Sequence, residues 1–84
     1  MPVIHPSLFL IIKRFPEHKE IIQRLYWKNE NFREVCEDHQ KCAVALKYWN
    51  LSDSEEAPAR REELVALLRE LEAEIEQDLQ ELRV

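Results

Sequence analysis

The stretch Leu25-Tyr-Trp-Lys28-Asn-Glu-Asn-Phe32-Arg-Glu-Val35-Cys-Glu-Asp-His39-Gln-Lys-Cys42-Ala-Val-Ala-Leu46 decides how this chain folds. Leu25, Phe32, His39 and Leu46 recur at seven-residue intervals, and Ile21, Lys28, Val35, Cys42 and Trp49 interleave with them in steps of four and three. A repeat of this kind lines one side of a helix as the a and d positions of a coiled-coil seam. Upstream, Pro16 suits a first helical turn, and Glu17 and Glu20 bring carboxylates to the positive end of the helix dipole. The pattern predicts one long helix over about residues 16–50.

Downstream, Asn50-Leu-Ser-Asp-Ser54 ends the pattern with side chains that compete for backbone hydrogen bonds. Pro58 marks a second start, and Leu64, Val65, Leu67, Leu68, Leu71, Ile75, Leu79 and Leu82 form the apolar stripe of a helix over about 57–83. So short a connection makes the two helices antiparallel neighbours. A turn near residues 53–54 makes facing positions sum to about 107, which sets His39 near Leu68, Phe32 near Ile75 and Lys28 near Asp78 or Leu79. The expected fold is all-α: a long antiparallel two-helix hairpin, coiled-coil-like, preceded by a short N-terminal apolar segment. Its first helix would make a rod about 50 Å long.

Residues 1–15 form an extension to the hairpin of residues 16–84. Pro2, Pro6 and Pro16 limit helix continuity there. Between them Ser7–Arg14 reads as two helical turns or a short extended segment, the helix being favoured. In the expected register the second helix runs out opposite residue 23 or so, and Ile21 and Ile22 lack a partner from it. The segment bearing Leu8, Phe9, Ile11 and Ile12 is the nearest cover, from the same chain or from a neighbouring subunit.

Phe15-Pro-Glu-His18, then Ile21-Ile22 and Leu25, then Asn31-Phe32, Val35 and His39 with a second amphipathic helix behind them, resembles the YdcH-like family of small bacterial proteins. The resemblance covers about residues 15–82, and Phe-Pro-Glu with Asn-Phe carries most of it. It implies a self-associating two-helix hairpin with no assigned activity, cofactor or catalytic residue. The chain departs from the family in its first fourteen residues and in its acidic second helix.

Composition narrows the functions. Eighty-four residues suffice for one small domain, and the absence of glycine excludes glycine-cradled phosphate loops. The longest apolar run, Leu8 to Ile12, is far shorter than the ~20 residues that span a bilayer. With only two cysteines and no signal-peptide pattern, the chain is expected in the cytoplasm. Of the net charge of −5, residues 1–52 hold eight Lys/Arg against six Asp/Glu, and residues 53–84 hold four against eleven. So acidic a C-terminal helix repels phosphate backbones, and no nucleic-acid partner is expected.

Few residues suggest chemistry. Cys36, His39 and Cys42 are ligand types, but on one helix the outer two lie about 9 Å apart along the axis, too spread for a single zinc ion. His39 has no nucleophile in its turn, and the Glu-rich surface of residues 62–81 has no pocket, so no catalytic, cofactor-binding or metal-binding residue is assigned. Lys28, His39 and Asp78 interrupt the seams as a polar layer that sets register. Tyr26-Trp27 and Tyr48-Trp49 lie 22 residues apart, near one side of a continuous helix, and are suited to anchor a partner. Leu8–Phe15 with Lys13 and Arg14 is too short for much membrane contact. The expected function is a non-enzymatic interaction module that forms homo-oligomers, its candidate contacts being Leu8, Phe9, Ile11, Ile12, Ile21, Ile22, Tyr26, Trp27, Tyr48 and Trp49. The alternative is an accessory subunit docking on a larger protein or membrane complex through its N-terminal segment.

Overall fold

A computed structural model describes residues 4–81, and every regular element among them is helical. The protein is all-α. After a 3-10 turn at Pro6–Leu8 come α1 (Phe9–Arg14), a second 3-10 turn at Pro16–His18, α2 (Lys19–Lys28), α3 (Glu30–Asn50) and α4 (Ala57–Glu81). The tail of the second expected helix, residues 82 and 83, lies outside the described residues, as does its Leu82.

The continuous helix expected over 16–50 is not formed, because the chain leaves helical geometry at Asn29 (φ −121°, ψ 111°). That residue closes α2 through its N–H to the Leu25 carbonyl, 2.8 Å, and opens α3 through its side-chain oxygen, which accepts from the Phe32 N–H at 2.9 Å. Asparagine is among the strongest N-cap residues, and Glu30 in the first turn adds a carboxylate at the positive end of the dipole. Local capping thus overrides the heptad pattern. The outcome is a body of 46 × 28 × 22 Å instead of a slender rod.

Downstream of the break, α3 runs alongside α4 in the opposite direction. Arg61 Nη1 donates to the Trp49 carbonyl at 3.0 Å, the Cys42 thiol to the Leu64 carbonyl at 3.4 Å, and His39 Nε2 lies 3.2 Å from Glu72 Oε2. These pairs follow facing positions close to the expected sum. The turn between the helices is held by Ser52 and Ser54, whose hydroxyl oxygens accept from the N–H groups two residues on.

A single apolar cluster joins Leu8, Ile11, Ile22, Tyr26, Phe32, Cys36, Ile75 and Leu79, all buried. Burying each of its larger side chains is worth about 1.5–3 kcal/mol, and the first 3-10 turn and all four α-helices contribute. Leu8 and Ile11 therefore lie over the open end of the α3–α4 pair, within the same chain. Pro16 ends α1 by excluding its predecessor Phe15 from α geometry (φ −126°, ψ 62°), and the chain turns there into α2.

Candidate interaction surface

The break at Asn29 rotates α2 relative to α3 and changes which residues face inward. On α2 the buried pair is Ile22 and Tyr26, one position beyond the Ile21 and Leu25 of the seam, which are half-buried. Lys28, expected in a polar layer with Asp78, is exposed, and no ion pair joins the two among the described residues. Asp78 lies near Cys36 instead. Burial above all, then the charges of Asp78 and Glu37, pushes the Cys36 thiol up to about 12. Burial likewise raises Cys42, so both free cysteines are held as neutral thiols. No group of three or more His, Cys, Asp or Glu side chains among the described residues is placed to hold a metal ion.

Of the polar layer, His39 alone sits inside, only 3% exposed. Its Nε2 meets the Glu72 carboxylate, which Arg14 Nε also approaches at 3.6 Å, so α1, α3 and α4 converge there. Its Nδ1 is buried without a hydrogen-bond partner. Beside this group an open cleft of about 390 Å³ is lined by Leu10, Lys13, Ala43 and Leu68.

The two aromatic pairs present opposite members to solvent. Tyr26 is buried and Trp27 is 63% exposed, whereas Tyr48 is 66% exposed and Trp49 is half-buried against α4. Each pair packs edge to face, with ring centroids 5.1 and 5.2 Å apart. The expectation that both pairs flank one continuous side fails because the chain is not helical at Asn29. The Tyr26 hydroxyl lies 3.1 Å from His5 Nδ1 and donates to Glu37 Oε2 at 3.4 Å. Burial, followed by the charge of Glu37, raises its pKa.

Of the ten candidate contacts, Leu8, Ile11, Ile22 and Tyr26 are enclosed within the chain's own core. Ile12, Ile21 and Trp49 are partly covered, and Phe9, Trp27 and Tyr48 remain exposed. Four large apolar residues outside that set are also open to solvent: Leu10, Val44, Leu51 and Leu67. Val44 and Tyr48 on α3 and Leu51 at its C-cap follow steps of four and three, a stripe hidden in the sequence by the stronger core seam on the other face. Two further residues that organise the surface carried weaker signals. His5 stands before Pro6, accepts the Ser7 N–H at 3.1 Å and stacks on Tyr26, while Glu72 looks in the sequence like any other acid of α4. No helix among the described residues is long and apolar enough to cross a membrane. No family model, curated protein or solved structure matches this chain.

Proposed function

We propose that this protein is a non-catalytic helical-hairpin interaction module that works in the cytoplasm by associating with copies of itself. The observation that carries the reading is the exposed row of Val44, Tyr48 and the C-cap Leu51 along a helix whose other face is already packed. A folded small domain with a full core has no folding reason to keep such a row wet, and apolar surface of this kind marks contact sites. Membership of the YdcH-like family belongs to the same proposal, on the strength of Phe15-Pro-Glu-His18 and Asn31-Phe32.

Docking on a larger protein through the N-terminal segment is the second reading. Phe9 and Leu10, 58% and 43% exposed beside Lys13 and Arg14, favour it. The enclosure of Leu8 and Ile11 weakens it, since two of the five residues of the apolar run are already committed. Native mass spectrometry of the purified chain separates the two. Self-association predicts a fixed multiple of the 10.1 kDa chain; a chain that stays single and exposes its apolar run to dye binding contradicts it.

A further inference from the structure

The N-terminal layer reaches along the α3–α4 pair as far as Ala43, where Leu10, Lys13 and Arg14 border the His39 cleft. Past that point come Val44 and Tyr48 on α3 and Leu51 at its C-cap, which are 59%, 66% and 80% exposed. On a helix these positions fall within about 60° of one another, on the side away from buried Cys42 and half-buried Trp49. Lys41 stands one turn before Val44 on the same side, and just past Leu51 the turn carries Asp53, Glu55 and Glu56. A cation thus precedes the apolar row and a group of acids follows it.

Charge also distinguishes the two ends of the molecule. Residues 40–69 hold five cations (Lys41, Lys47, Arg60, Arg61, Arg69) against five anions (Asp53, Glu55, Glu56, Glu62, Glu63). The other end, residues 4–39 with 70–81, holds six cations against twelve anions, a net charge of −6. Contact between two copies through the neutral end keeps the acidic ends apart; contact through the other end would bring them together.

We propose that the occupant of this face is a second copy of the chain, docked about a two-fold axis with the two α3 helices antiparallel. Val44 of each copy packs on Tyr48 of the other, and Lys41 of each lies beside the acidic turn of the other. Only the antiparallel alignment makes both contacts twice, as an isologous interface requires. A parallel one sets Lys41 against Lys41 and acid against acid. The inference rests on the self-association reading and adds to it a surface and an alignment.

Light scattering during size exclusion of the full chain tests it, at tens of micromolar and low salt. Wild type is expected at twice the 10.1 kDa chain mass. Val44→Glu and Tyr48→Glu should elute at the single-chain mass with unchanged helical circular dichroism, because neither side chain is in the core. Lys41→Glu should raise the dissociation constant about fivefold. That effect should shrink near 1 M salt, where charges are screened within about 3 Å. A partner variant reversing the turn, Asp53→Lys with Glu55→Lys, should restore the affinity of K41E. Trp27→Glu should leave the doubled mass intact. A wild-type chain of single mass overturns self-association itself. A doubled wild type that survives Val44→Glu and Tyr48→Glu, or that dissociates with Trp27→Glu, overturns only the surface proposed here.

Discussion

Asn29 governs the architecture from one position. It sits between two helical segments that the heptad pattern would fuse, and it aims Ile22 and Tyr26 at Phe32 and Ile75. Replacing Asn29 by Ala removes the cap on Phe32 and is expected to cost about 1 kcal/mol, read as a melting temperature lower by several degrees. A raised melting temperature would mean that α2 and α3 fuse without loss, and that the break does not matter. Asp78 provides a second single-residue test. Burial, and then Glu74 and Glu81, raise its pKa above the ordinary carboxylate value. The folded state thus holds the Asp78 proton more firmly than the unfolded one. Its contribution is fully present below the ordinary pKa and is lost as pH rises through the raised folded value. Asp78→Asn should therefore stabilise the protein at pH 7 by a few tenths of a kcal/mol, a modest figure because the group is partly solvated. The advantage should fade as pH falls through that raised value and be gone below about 4. Equal melting temperatures for variant and wild type at pH 7 would contradict this. Asp78 was legible as a polar interruption of the seam, but its neighbour was not, since the Lys28 alignment assumed a straight helix.

Among the elements, α4 and the distal part of α3 were the easiest to read. Their period, the serine-rich turn and Pro58 all agree, and consistent local signals of that kind leave few alternatives. The break was harder to see, because Asn-Glu-Asn inside a strong heptad is also compatible with an exposed helical stretch. The Asn29 cap on Phe32, together with the packing of α2 and of the N-terminal segment, makes the broken conformation the better one. That segment is an integral layer. Leu8 and Ile11 are buried, His5 stacks on Tyr26 with centroids 4.8 Å apart, and Arg14 reaches Glu72. Deleting residues 1–14 removes at least about 3 kcal/mol of apolar burial, comparable to the whole margin of a domain this small. The truncated chain is expected to lose its cooperative thermal transition at 25 °C and above. A melting curve like that of the full chain would show that the layer is dispensable. The tenfold set of candidate contacts inferred from sequence mixed core with surface for the same reason. Without knowing that the segment folds onto its own chain, Leu8 and Phe9 look alike.

At the scale of the whole molecule, the chain divides into a three-layered end and a two-layered end. The first is closed by the N-terminal helix and acidic along residues 70–81. The second is electrically balanced and carries the apolar row of α3. Amphipathic periodicity predicts that a two-helix pair leaves apolar surface uncovered, and the sequence accordingly pointed to partners. It could not place them, because the exposed row is only three residues long and sits opposite a far stronger seam. In the proposed assembly a second copy covers this row. Small-angle X-ray scattering tests it directly, as the forward intensity gives mass and the low-angle slope gives size. The predicted result at tens of micromolar is a particle of twice the 10.1 kDa chain mass, with a radius of gyration well above the 14.0 Å of a single chain. A particle of single-chain mass and single-chain size across the accessible concentrations would contradict it.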